Sequence, residues 1–275
     1  MGKIVFFDID GTLVTPKNQL PNSTKEAIHE LKENGHLPII ATGRPPKMFE
    51  VITKELGIDS YISLNGQHIV IKGQPIFSNP IPTDYLKDLI DASYEIDQRT
   101  FLLTKDDIIG NHFMREMMLD PEFLTMVYKN LSQLPNDVSV EFFKRMTEKP
   151  LDTDRFENLE ILSAFIHTEE KDDLFYAERF PNLHFTRATP YLSEVLMKGA
   201  HKGAGIERVI RSLDLTLADT VAFGDGLNDM EMIQTAGVVV AMGNGRPELK
   251  EVADLVTTHV EEDGIFHGLK KLSLI

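Results

Sequence analysis

The sequence predicts an α/β protein: a parallel β-sheet covered by helices on both faces and interrupted by an inserted α+β domain. Three observations carry that prediction. Short apolar runs alternate with amphipathic stretches of helical length at both ends of the chain, the pattern of a parallel sheet buried on its two faces. The middle breaks this rhythm and is bracketed by Asn79-Pro-Ile-Pro82 and Ala188-Thr-Pro190, Pro-bearing stretches suited to linkers. Between them, residues 83–188 hold 14 of the 22 Phe and Tyr, enough aromatic mass for a core of their own. The expected division is 1–82 with 189–275 as one domain and 83–188 as the insert, the two neighbouring linkers acting as a hinge.

Taken in order, Lys3 to Asp8 is an apolar run ending in a carboxylate, as a strand buried on both faces would be. Ser23-Thr-Lys-Glu26 reads as a capping box opening a helix with Ala27, Ile28 and Leu31 on one side, and Asn34-Gly35 stops it. Leu37 to Ala41 is a second strand, and Pro45-Pro46 opens a helix that ends near Gly57. Asn65-Gly66 is a turn between strands Tyr61–Leu64 and His68–Ile71. The same rhythm returns with a strand at Leu192–Met197, a helix at Gly203–Leu213 and a strand at Thr220–Phe223. A helix at Asp229–Thr235, a strand at Val238–Ala241, a helix near Glu248, the run Leu255-Val256 and a last helix complete a Rossmann-like, three-layer core. The insert reads as a helix near 84–96, strands near 100–110, a helix opened by Asp120-Pro121, a strand at Leu159–Ile166, a helix, and a strand at Asn182–Arg187.

Composition narrows the function. With 28 Lys+Arg against 43 Asp+Glu the net charge is −15, and no polybasic stretch exists, which disfavours nucleic acid and anionic membranes as partners. The absence of Cys excludes disulfides, thiolate metal sites and cysteine nucleophiles. The longest apolar runs, such as Val238–Met242, fall far short of a membrane span, and a strand-like run starting at Lys3 leaves no room for a leader, so a cytoplasmic protein is expected. Oligomeric state stays open.

The chemistry-bearing residues cluster where an open α/β sheet places them, just beyond the carboxyl ends of strands. Asp8 and Asp10 follow the first strand, Thr42 the second, Lys202 lies a few residues after Met197, and Asp225 and Asp229 follow Phe223. Four carboxylates in one pocket would repel by about 4 kcal/mol per close pair at ~4 Å and an effective dielectric of ~20. A hard divalent cation removes that conflict, and oxygen-only ligation points to Mg²⁺ rather than zinc. A carboxylate beside such a cation is a nucleophile for phosphorus, Lys202 and Thr42 are phosphate contacts, and Asp10 is placed for acid–base work. Backbone N–H groups after Thr42, from Gly43 onward, add a weak anion site.

Asp8-Ile-Asp-Gly-Thr12, Ala41-Thr-Gly-Arg44, Lys198-Gly-Ala-His-Lys-Gly203 and Gly224-Asp-Gly-Leu-Asn-Asp-Met230 resemble, in order, the four motifs of the haloacid-dehalogenase-like (HAD) phosphatases. The position of the insert resembles the Cof-type subfamily with a type IIB cap. The resemblance implies Asp8 as nucleophile and Mg²⁺ ligand, and Asp10 as general acid/base with its backbone carbonyl on the metal. It implies Thr42, Gly43, Lys202 and Asn228 around the phosphate, Asp225 as a metal ligand and Asp229 orienting the metal's shell. It further implies a phosphatase acting on small phosphorylated metabolites, such as sugar phosphates or phosphorylated cofactors, through a phosphoaspartate, with the insert closing over the site. A phosphomutase or a non-catalytic binding module are the competing readings.

Plainer roles stand beside these. Asp-Gly carboxylates often serve turns, and Thr42 can cap the following helix. Lys198 competes with Lys202 but reads as a surface lysine, and His201 as an exposed loop residue. Arg44 either contacts substrate or pairs with a surface acid, and Asn65 either makes the turn or faces substrate. Met114, Met117 and Met118 read as core of the insert. Glu261-Glu262-Asp263 reads as a solvated start to the final helix.

Overall fold

A computed structural model describes residues 2–110, 156–189 and 192–275, and the chain divides into two units. One comprises Met1–Arg44, Phe49–Phe77 and His201–Ile275; the other comprises Pro45–Met48 and Ser78–Ala200.

The first unit is built on an eight-stranded sheet in the order β13-β12-β11-β1-β2-β3-β4-β5. Its centre is β1 (Ile4–Phe7), flanked in parallel by β2 (Leu37–Ala41) and β11 (Thr220–Gly224). β3 (Tyr61–Ser63), β12 (Val238–Ala241) and β13 (Leu255–Val256) extend the parallel run on either side. β4 (His68–Ile71) returns antiparallel to β3, and β5 (Gln74–Ser78) forms the edge.

Strand periodicity explains the layering. Val5 and Phe7 point to one face and pack with Ile40, Val221 and Phe223 against α1 (Asn22–Glu33), α2 (Glu50–Leu56) and α8 (Gly264–Lys271). Ile4 and Phe6 point to the other and pack with Ile39, Ile62 and Ala222 against α5 (Lys202–Ser212) and α6 (Met230–Thr235). Both faces of β1 are therefore buried, each large side chain contributing about 1.5–3 kcal/mol. A short helix, α7 (Pro247–Val252), covers the β12 side through Leu249. The chain leaves β1 toward β2 on one side and comes back to it through β11 on the other. The carboxyl ends of β1 and β11 thus flank a topological switch point, where such sheets open a crevice.

The second unit holds a five-stranded antiparallel sheet, β7-β6-β8-β10-β9. These strands are β6 (Arg99–Leu103), β7 (Ile108–Ile109), β8 (Ser163–His167), β9 (Leu183–Thr189) and β10 (Leu192–Met197). α3 (Thr83–Glu95) and α4 (Asp173–Arg179) bury Leu86, Leu89, Ile90 and Tyr176 against Leu102, Ala164, Ile166 and Val195. The Tyr176 hydroxyl donates to Gln98 Oε1 at 2.6 Å, and Gln98 Nε2 donates to Asp172 Oδ2 at 2.7 Å, so this buried polar chain is satisfied.

Two sequence expectations need correction, and one strand was not expected. Leu192–Met197, expected in the parallel sheet, pairs antiparallel with β8 and β9; its run of buried residues looks the same in either sheet, and only pairing partners distinguish them. The capping box at Ser23 and Glu26 does not form: Pro21 stands at the cap with φ −60° and ψ 144°, the helix starts at Asn22, and Ser23 falls inside its first turn. Gln74–Ser78, which the sequence reading passed over, is an exposed edge strand that tolerates Pro75 for that reason. The helix expected at Asp120-Pro121 and the core role expected for Met114, Met117 and Met118 lie outside the described residues.

Candidate active site

Asp8 is placed by the sheet itself. Its N–H donates to Phe223 O at 3.0 Å, continuing the β1–β11 ladder one residue beyond the strand and tying it to the neighbouring acidic loop. The chain then turns sharply: Thr12, Leu13 and Val14 N–H groups converge on Ile9 O, and Gly11 sits at φ +81°. A side chain at Gly11 would place its Cβ 2.3 Å from Asp225 Oδ2, so only glycine lets the two loops approach.

The second acidic loop leaves β11 at Gly224 and enters a 3₁₀ turn at Leu227–Asp229 before α6. Asp229 Oδ2 accepts the N–H groups of Asp225 and Gly226 at 3.0 Å each, which folds the loop around that carboxylate. Lys202 opens α5 with 1% of its surface exposed, and its Nζ donates to Asp8 Oδ1 and Asp229 Oδ1, both at 2.6 Å. His201 is the N-cap of α5 rather than a free loop residue: its Nδ1 accepts the Ala204 N–H at 3.1 Å. Lys198 is exposed and donates to Pro181 O at 3.1 Å.

One ammonium thus faces three carboxylates. Carboxylate oxygens of Asp8, Asp225 and Asp229 lie within 4.8 Å of one another. Burial, and then the Asp229 charge, push the Asp8 carboxyl well above the usual carboxylate range despite Lys202. Burial and the Asp229 charge also push Asp225 up to about 7, against the Thr12 hydroxyl, which donates to its Oδ1 at 3.3 Å. Burial opposes the Lys202 charge, but Asp229 and Asp8 outweigh it and hold the ammonium above the ordinary lysine value. An all-oxygen set with more negative than positive charge fits a hard divalent cation. Asp8, Asp225 and Asp229 are the residues that could hold it.

The remaining sequence-derived residues occupy different places. Asp10 is not among those three: it is exposed, and both its oxygens accept from Arg44, Oδ2 from Nε at 2.9 Å and Oδ1 from Nη2. Arg44 therefore pairs with an acid, and that acid belongs to the first motif. Thr42 is buried, its N–H donating to Ile62 O at 2.9 Å and its hydroxyl accepting the Arg44 N–H at 3.1 Å. Asn65 has φ +51° and donates its N–H to Thr42 O at 3.1 Å, and a Cβ on Gly43 would lie 3.1 Å from its amide. The Asn65-Gly66 turn thus props the Thr42–Arg44 loop. Asn228 is exposed on the 3₁₀ turn.

Two residues at the site carry roles that the sequence does not announce, Thr12 within the first motif and Asn244 outside all four. Thr12 holds Asp225 as described, and Asn244 Nδ2 donates to Gly11 O at 2.7 Å and to Asp225 Oδ2 at 3.4 Å. The available signal was position: Gly243-Asn244-Gly245 follows the carboxyl end of β12, on the same edge of the sheet.

Comparison with known proteins agrees with this geometry. The family model described as haloacid dehalogenase-like hydrolase matches residues 5–269. The chain is similar to the Bacillus subtilis (strain 168) protein named "Putative phosphatase YkrA", 36% identical over 99% of this chain and 98% of that one. It also resembles the crystal structure of a Geobacillus kaustophilus HTA426 protein, 36% identical with a TM-score of 0.82 and 100% of both chains covered. The HAD subclass IIB sugar phosphatase BT4131 is 27% identical with a TM-score of 0.76, over 99% of this chain and 100% of that one. Among the described residues no helix is long and apolar enough to cross a membrane.

Proposed function

The chain belongs to the haloacid dehalogenase-like hydrolases and is a phosphatase of that family, and we propose that it is a Mg²⁺-dependent hydrolase of small phosphorylated metabolites working through a phosphoaspartate on Asp8. The observation that carries this reading is the single ammonium of Lys202 shared at 2.6 Å by Asp8 and Asp229, with Asp225 completing the carboxylate group. Sugar phosphates and phosphorylated cofactors are the expected substrates, which the similarity to a sugar phosphatase supports.

In this reading Asp8, Asp225 and the Asp10 backbone carbonyl hold the cation and Asp229 orients its shell; the cation when bound would offset the negative charge of the phosphate and of the carboxylates. Lys202 keeps Asp8 Oδ1 fixed, leaving Oδ2 to attack phosphorus. Asp10, once released from Arg44 and protonated, gives its proton to the leaving alkoxide as the P–O bond to the substrate breaks. Asp10 then takes a proton from water, which attacks the acyl-phosphate, releasing inorganic phosphate and restoring Asp8. Lys202, Thr42 and the N–H groups following it, beginning with Gly43, contact the phosphoryl oxygens, Asn228 lies beside them, and Asp229 holds Lys202 and the turn after Asp225 in register. Arg44 holds the Asp10 carboxylate until the substrate binds, and Asn65 supports the loop that carries Thr42.

The test is phosphate release by purified protein with Mg²⁺ across a panel of small phosphomonoesters, alongside Asp8→Asn. Free phosphate from wild type and none from the variant is the expected result. No release from any ester, turnover by Asp8→Asn, or an isomerised ester as product would overturn the proposal.

A further inference from the structure

Asn244 lies outside the four motifs, yet its side chain ties together three loops. Nδ2 donates to Gly11 O at 2.7 Å, in the turn after Asp8, and to Asp225 Oδ2 at 3.4 Å. Oδ1 accepts the Val260 N–H at 2.9 Å. The amide orientation is forced, because a backbone N–H can only donate and a carbonyl can only accept.

The segment carrying Asn244 grips Asp225 from its backbone as well. Arg246 N–H donates to Asp225 O at 2.9 Å, and Met242 N–H donates to Gly224 O at 3.0 Å. Thr12 holds the other carboxylate oxygen of Asp225 at 3.3 Å, so one neutral donor sits on each oxygen. Gly11 leaves no slack, since a Cβ there would already overlap Asp225 Oδ2. The Asn244 amide and the Thr12 hydroxyl therefore set the spacing between the Asp8 turn and Asp225 together.

We propose that Asn244 is a positioning residue for the cation site, an amide splint that fixes the Asp225 carboxylate against the turn carrying Asp8. This deepens the reading of Asp8 and Asp225 as cation ligands and rests on it. Outer partners that orient a ligand typically change metal affinity by ~10–100-fold when removed. A residue that merely stabilised the loop would change the melting temperature and leave the affinity of the folded protein alone.

The experiment is calorimetric titration of the full chain with Mg²⁺, without substrate, for wild type, Asp225→Asn, Asn244→Ala and Asn244→Ser, with circular dichroism melts in parallel. Asn244→Ser keeps a small neutral polar group and loses the amide donors, so it serves where Asn244→Ala does not fold. The expected result is Mg²⁺ binding by wild type, none by Asp225→Asn, and binding about 10–100-fold weaker by folded Asn244→Ala and Asn244→Ser. A folded Asn244 variant that binds Mg²⁺ as tightly as wild type overturns the positioning role alone. Wild type that binds no Mg²⁺, or Asp225→Asn that binds it normally, overturns the reading of the site and the positioning role with it.

Discussion

Replacing Asp225 with Asn should stabilise the metal-free protein while abolishing its affinity for Mg²⁺. Unfolded, Asp225 loses its proton near the ordinary value of ~3.9. Folded, it holds the proton up to about 7, because of burial and the Asp229 charge. Between those values the folded state binds more protons than the unfolded one, so stability is withdrawn as pH rises and the loss is complete above about 7. The separation corresponds to about 4 kcal/mol. Asparagine carries no such penalty, and its amide fits the same partners, Oδ1 accepting from Asn244 and Nδ2 donating to the Thr12 hydroxyl. In urea melts with chelator, Asp225→Asn should therefore exceed wild type by about 4 kcal/mol at pH 8 and by only about 1.5 kcal/mol at pH 5. Added Mg²⁺ should raise the wild type and leave the variant unmoved. A variant no more stable than wild type at pH 8, or one showing the same pH slope, would refute the reasoning.

Three further substitutions probe the same site. Lys202→Met removes the only ammonium contacting Asp8 and Asp229 among the described residues; it should cost about 3–5 kcal/mol at pH 8 and eliminate phosphate release, as urea melts and a phosphate assay would record. Gly11→Ala drives a methyl into Asp225 Oδ2 from a backbone at φ +81°, and calorimetry should show a loss of Mg²⁺ affinity of at least about tenfold. Arg44→Ala frees Asp10 from both its bonds and should lower kcat by about 10–100-fold with Mg²⁺ affinity unchanged; the opposite pattern would place Arg44 in the cation site.

Much of this was legible in the chain because the physics is local. β1, β2, β11 and β12 are apolar at nearly every position, as strands covered on both faces must be, and the acids that follow β1 and β11 stand where a switch point puts them. What escaped the sequence depends on tertiary pairing. Leu192–Met197 joins an antiparallel sheet that its own residues do not announce, and Gln74–Ser78 is a mostly exposed edge strand broken by Pro75, with Phe77 packed against the core. Asp10 and Arg44 meet across two separate turns, and nothing in either motif indicates that each occupies the other. Thr12 and Asn244 look like ordinary turn residues until Asp225 is brought between them.

The most direct measurement is a crystal structure of the full chain grown with Mg²⁺ and beryllofluoride. It should show one cation shared by Asp8 and Asp225, with the beryllium bonded to an Asp8 carboxylate oxygen and its fluorines facing Lys202. A cation absent from these carboxylates, or an adduct on any residue other than Asp8, would contradict the account.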